Sequence, residues 1–134
     1  MIVFDAGVLI AHLEPSDLFH DAATGFLEEF EEFDFAASVV TLAECLVRPA
    51  QFGRSSEAIA KLDRLELIRL DVAADAGSRI ADIRAHTRLK MPDAIVLYTA
   101  EREGAELVTT DRGLSGAATA RGVVAHQLEA GTQS

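Results

Sequence analysis

The chain has 134 residues, of which 49% are hydrophobic and 25% charged, with one cysteine and a net charge of −10. That length and apolar content suit a single folded domain over residues 1–134 and exclude a disordered chain, while a lone cysteine excludes an internal disulfide and suits a reducing, cytoplasmic setting. The apolar start is interrupted by Asp5 and has no basic leader, so it does not read as a secretory signal, and no run approaches the roughly 18 apolar residues of a membrane span.

The acidity speaks against a general electrostatic grip on nucleic acid, but it is uneven. Glu14 to Asp34 holds eight acids and no Lys or Arg, which leaves −2 for the rest of the chain. Arg79, Arg84, Arg88 and Lys90 gather before Asp93, and Arg48 and Arg54 follow Glu44. A basic rim beside an acidic centre is compatible with this distribution.

In chain order, Met1 to Phe4 is an apolar run with a β-branched and aromatic core, ending on Asp5. Such a run suits a strand buried on both faces of a parallel sheet. A short helix follows over Ala6 to Leu13. Pro15 and Ser16 then open a second helix, with Ser16 as N-cap and Asp17 in the first turn. Along it Phe19, Ala22, Ala23, Phe26, Leu27, Phe30 and Phe33 form an apolar stripe, and Glu28, Glu29, Glu31 and Glu32 fall on the other side. The stripe reads either as a core-facing surface or as a groove for a protein partner.

Phe35 to Ser38 reads as a second strand and Val39 to Val47 as a helix carrying Glu44. Pro49 to Ser56 has the Pro, Gly and Ser signals of a loop. Ser55 or Ser56 caps a helix to about Leu65, and Leu67 to Leu70 fits a third strand. Val72, Ala76, Ile80 and Ile83 line a fifth helix running toward His86. Pro92 opens a sixth helix with Asp93 beside it and Ile95 to Ala100 following. Glu106 to Thr109 is a fourth strand and Val123 to Ala125 a fifth. This alternation predicts a three-layer α/β/α fold with a mainly parallel central sheet of four or five strands.

Four acids stand at element ends or in apolar surroundings: Asp5 after a strand, Glu44 within VVTLAECLV, Asp93 before AIVLYTA and Asp111 after ELVTT. Each has a plainer reading. Glu44 could face solvent, Asp93 could favour a helix N-terminus through its dipole, and Asp111 could form a turn with Arg112 and Gly113. Gathered in one crevice they would repel one another. A divalent cation removes that repulsion, and oxygen-only ligation favours Mg²⁺ or Mn²⁺ over zinc. Hard metals on carboxylates typically serve phosphoryl chemistry.

Other residues carry less. Cys45 reads as a small buried hydrophobe beside Glu44. His12, His20, His86 and His126 lack zinc-like spacing. No G-x-S-x-G, P-loop or G-x-G-x-x-G motif occurs. Arg84, Arg88 and Lys90 read as a solvated helix face, and Tyr98 sits in an apolar run rather than on a base-stacking platform.

With these residues in view, the chain resembles the PIN-domain nucleases, and especially the VapC-type toxins of type II toxin–antitoxin systems. The likeness runs almost end to end, through IVFDAGVLIA, SVVTLAECLVRPA and MPDAIVLYTAEREGAELVTTDRGL. It implies a PIN-like fold in which Asp5, Glu44, Asp93 and Asp111 form an acidic quartet binding Mg²⁺ or Mn²⁺. It further implies hydrolysis of RNA phosphodiesters with metal-activated water, a cognate VapB-type antitoxin, and a homodimer. We expect the antitoxin on the Phe-rich helix from Asp17 to Phe33 and on the helix after Ser55. Two positions depart from the family pattern. Gly7 stands where Ser or Thr is frequent, and Thr110 where Asn is frequent. Rival readings are a PIN fold kept as a non-catalytic binding module, and a receiver-like phosphoacceptor. The receiver lacks support here: there is no early Asp-Asp pair, no Asp after Phe35 to Ser38, and no Lys after Val123 to Ala125.

Overall fold

Ile2–Phe4 forms the central strand, β1, and its side chains divide between two cores in alternation. Ile2 and Phe4 join one cluster and Val3 the other, as the two-residue period of a strand requires. The computed structural model describes residues 1–131. It pairs β1 with β2 (Phe35–Ser38) on one side and with β4 (Glu106–Thr109) on the other. β3 (Ile68–Leu70) and β5 (Ala125–Gln127) complete a parallel five-stranded sheet in the order β3-β2-β1-β4-β5.

Helices α1 (Ala6–Leu13), α2 (His20–Glu29), α3 (Val39–Gln51) and α4 (Ser55–Asp63) pack with Ile2 and Phe4. Helices α5 (Gly77–His86), α6 (Met91–Glu103) and α7 (Arg112–Ala120) pack with Val3 and Leu107. This is the predicted α/β/α arrangement. Among the described residues no helix is long and apolar enough to cross a membrane.

The chain lays down β1, β2 and β3 toward one edge, then returns to place β4 and β5 on the other. At such a reversal the segments leaving adjacent strands diverge, opening a crevice at the carboxyl ends. Here the reversal falls between β1 and β4, the strands that Asp5 and Asp111 follow.

Two helices deliver the remaining acids. α3 starts where Ser38, fully buried, accepts the Thr41 N–H on its side chain at 3.2 Å. α6 carries Asp93 in its first turn and is buried from Ala94 to Ala100. It packs across β1, β2 and β4 and against α3. A helix apolar on all sides must be enclosed, so the position of Asp93 is tightly determined.

Several boundaries differ from the sequence reading. α2 starts at His20, not near Ser16. Ser16 Oγ donates to Glu14, and Asp17 Oδ1 instead accepts the Phe19 N–H at 2.8 Å, holding a turn. The stripe is a core surface: Phe26 is buried, and packs edge-on to Phe4 and stacked on Phe30. Only Phe33, beyond the helix, is well exposed, so the α2 face is not an open groove. α3 runs on through Pro49 to Gln51, because the bond that proline forgoes falls in the last turn. α4 is preceded by Arg54 at its N-cap and ends at Asp63. α5 begins at Gly77, with Val72 and Ala76 packing from the segment before it. β5 is shifted to Ala125–Gln127, because α7 and a turn at Gly122 (φ 82°) occupy the preceding residues.

Ser38→Ala removes the α3 cap and strands a buried N–H, so it should lower unfolding stability by about 1 kcal/mol. Urea denaturation reads this directly, and an unchanged midpoint and slope would refute the cap's role.

Candidate active site

Asp5 is the buried member of the site, 9% exposed and set immediately after β1. Thr109 Oγ1 donates to Asp5 Oδ2 at 2.7 Å, across the β1–β4 pairing. The Ala6 and Gly7 N–H groups also favour its charge, yet burial outweighs these bonds and pushes the carboxyl above the usual carboxylate range. The Asp111 charge pushes in the same direction.

The same Thr109 hydroxyl accepts the Asp111 N–H at 2.9 Å. Asp111 Oδ1 then accepts the Leu114 N–H at 3.0 Å, which caps α7. Gly113 allows this closeness, because a Cβ there would lie 3.0 Å from Asp111 Oδ1. Asp111 therefore has the turn-forming role that its neighbours suggested, but the turn opens a helix. Little in the local pattern announces α7, since RGLSGAATA has two glycines and only one large apolar residue.

Glu44 projects from α3 and is half-buried. Burial, then the Asp5 charge, raises its carboxyl. Asp93 is also half-buried. Burial first, then the charges of Asp5, Asp111 and Glu44, push its carboxyl up to about 6, with Lys90 opposing. Asp93 thus feels all three of the other acids. The structure brings the four sequence-selected carboxylates together at the carboxyl end of the sheet, two from strand ends and two from helices on opposite faces.

Every donor in this set is an oxygen acid, which suits a hard divalent cation. Among the described residues no three His, Cys, Asp or Glu groups stand close enough to hold an ion by themselves. An ion here would rest on fewer carboxylates with water in its other positions, as Mg²⁺ commonly does. Cys45 lies against Glu44 in sequence, but burial, then the charges of Glu44 and Asp5, push its thiol up to about 12. It is an inert core residue.

The other residues set aside earlier have structural partners. His12 bonds Thr24, His20 the Ala11 carbonyl, His86 the Asp82 carbonyl and His126 Glu106. Arg79 and Arg102 lie over the buried Tyr98 ring. Arg84 Nε donates to the Leu89 carbonyl. Sequence reasoning missed Thr109, whose bond to Asp5 appears only once β1 and β4 are paired. It also missed a groove of about 590 Å³ among α1, α3 and α4, lined by residues that include Ile10, Leu13, Glu44, Arg48, Phe52 and Lys61.

A model of the PIN domain matches residues 2–119, and the chain belongs to the PIN domain family. No curated protein matches it. Solved structures share its fold. A toxin–antitoxin complex from Klebsiella pneumoniae is 24% identical with a TM-score of 0.69, covering 87% of this chain and 92% of that one. VapBC2 from Rickettsia felis, bound to a DNA fragment from its promoter, is 17% identical with a TM-score of 0.76, covering 96% and 100%. VapC20 from Mycobacterium tuberculosis, described as a sarcin–ricin loop cleaving toxin, is 17% identical with a TM-score of 0.71, covering 87% and 95%. At these identities the likeness is one of fold. The strand order β3-β2-β1-β4-β5 also differs from the 2-1-3-4-5 order of receiver-like proteins.

A carboxyl raised in the native state binds its proton more tightly folded than unfolded. For Asp93, stability is therefore lost as pH rises from 3.8 to about 6, and the penalty is complete above that window. Without divalent cation the protein should melt at a higher temperature near pH 5 than near pH 7.5. Asp93→Asn should flatten the difference, and added Mg²⁺ should stabilise more at the higher pH. Equal response of native and variant protein would contradict the clustered-charge account.

Proposed function

We propose that this chain is a metal-dependent endoribonuclease, the toxin of a VapBC-type pair, hydrolysing RNA phosphodiester bonds with water. The observation that carries the reading is the convergence of Asp5, Glu44, Asp93 and Asp111 where the strand order reverses. A fold gains no stability from gathering four carboxylates, so the cluster is best explained by a bound cation. Membership of the PIN family and the toxins that share the fold favour the nuclease over other uses of such a site.

Asp5, Asp93 and Asp111 would hold Mg²⁺ or Mn²⁺, no more than two of them directly and the rest through water, and Glu44 would complete the pocket. When bound, the cation activates water and offsets charge developing on the phosphate. The chain's own contribution is preorganisation. Thr109 fixes the rotamer of Asp5, the α7 cap fixes Asp111, and the buried body of α6 fixes Asp93. The low-dielectric floor beneath Asp5 strengthens every charge interaction above it. A bound cation would offset much of the negative charge of the four carboxylates, which would let RNA approach despite a net charge of −10.

The partner reading follows the same lines. The cognate VapB-type antitoxin would lie along the groove among α1, α3 and α4 rather than on α2, whose phenylalanines are core. Ile10 and Phe52 are exposed in that groove, 38% and 67%, and Glu44 forms part of its wall. A chain seated there would border the acidic pocket.

Cleavage of a mixed RNA pool with Mg²⁺ or Mn²⁺ tests the enzyme. Native protein should cut, while EDTA or Asp5→Asn should reduce the rate by at least about a hundredfold. Metal-independent cutting, or full activity in Asp5→Asn, would overturn the reading; absence of both cutting and metal binding would favour the binding-module alternative. For the partner, Phe52→Ala should weaken antitoxin binding by about tenfold while leaving RNA cleavage intact. Equal loss of both would remove the groove from the account.

A further inference from the structure

The two positions at which the chain departs from its family pattern touch each other. A Cβ built on Gly7 would lie 3.1 Å from Thr110 Oγ1, closer than a side chain normally tolerates against a neighbour. Gly7 is helical, within α1, and has no left-handed backbone to accommodate. What its missing side chain provides is room for the Thr110 hydroxyl.

That hydroxyl differs from its neighbour. Thr109 Oγ1 is committed twice, donating to Asp5 and accepting from the Asp111 N–H. Thr110 is half-buried, but its Oγ1 takes no part in the side-chain hydrogen bonds of the site, and because no buried side-chain oxygen among the described residues lacks a partner, this hydroxyl is open to water. It lies over Gly7, whose own N–H supports the Asp5 carboxylate. The side chains that converge on the site are mostly carboxylates, which when ionised only accept, with Lys90 acting on Asp93. A phosphodiester is also an acceptor, with anionic non-bridging oxygens. Beyond any cation it needs a donor, and Thr110 supplies an uncommitted one without adding charge.

We propose that the Thr110 hydroxyl donates a hydrogen bond to a non-bridging oxygen of the RNA phosphate, and that Gly7 is the vacancy that lets it stand there. The inference rests on the nuclease reading above and adds a phosphate-contacting residue to it. Thr110 and Gly7 then act as one unit. A Cβ at position 7 forces the hydroxyl to shift by a few tenths of an ångström, and loss of the hydroxyl makes the space at position 7 irrelevant.

The test is steady-state cleavage of the RNA pool by native protein, Thr110→Val, Thr110→Ser, Gly7→Ala and the double variant Gly7→Ala/Thr110→Val. It is read together with calorimetric Mg²⁺ affinity in the absence of RNA, and with melting temperature. Thr110→Val keeps the shape and removes the donor, so kcat/KM should fall by about tenfold or more while Mg²⁺ affinity stays within about twofold. Thr110→Ser should restore most of the rate. Gly7→Ala should share the defect, and the double variant should be no worse than the poorer single one. If native protein cuts RNA and Thr110→Val cuts equally well, the phosphate contact is wrong and the nuclease reading survives. Multiplying losses in the double variant, or a matching fall in Mg²⁺ affinity, would also overturn the contact. If native protein does not cut at all, both the nuclease reading and the contact fall together.

Discussion

A carboxylate held out of water at the end of the central strand is the constraint on which the rest of this molecule turns. Asp5 stays in place because β4 pairs with β1 in a register that sets Phe4 opposite Val108, which brings Thr109 beside Asp5. From there a chain of hydrogen bonds runs through the Thr109 hydroxyl to the Asp111 amide, and through the Asp111 side chain to the first turn of α7. A slip of one residue would turn Thr109 to the other face and put an apolar or mispositioned side chain against the acid. Sheet register, helix cap and site geometry are therefore one determination.

The features legible in the sequence were those written in local periodicity. The bounds of α1, β2 and β4 agree with the reading of the sequence, because continuous apolar runs and a flanking cap mark them. The four acids stood out because each interrupts an apolar neighbourhood. Failures came where two local signals competed. Ser16 reads as the cap and Asp17 as a first-turn residue of α2, and the structure uses Asp17 to hold a turn three residues before the helix. Pro49 signals a loop, yet the last turn of a helix tolerates it. Helix α7 depends on a cap and a shared core rather than on an amphipathic stripe. The Thr109–Asp5 bond joins residues 104 positions apart, and no window along the chain contains it. The same holds for the contact between Gly7 and Thr110, each of which looked like an isolated deviation.

The charge pattern gains a division of labour from the fold. Glu28, Glu29, Glu31 and Glu32 are exposed along and just beyond α2, where water screens them and repulsion is mild. Of the cations suggested as a rim, Arg79 covers Tyr98 and Arg84 reaches the Leu89 carbonyl. Lys90 stands apart, acting directly on Asp93, and Arg48 lies over Phe52 in the groove that Glu44 borders.

That pocket costs the fold stability, since its carboxyls are harder to ionise in place than in the unfolded chain. Destabilising elements of this kind persist only where surrounding packing holds them, and the packing is where such a site needs it. β1 is buried along its whole length, and α6 is enclosed from Ala94 to Ala100 directly after Asp93. Each acid is attached to an element that is among the most buried in the molecule or is fixed by a cap. Repulsion among the four therefore cannot relax by local fraying. It remains stored at the crevice; on the proposed reading a bound cation would relieve it, and stability gained on metal binding and competence for phosphate chemistry would then arise from the same four charges.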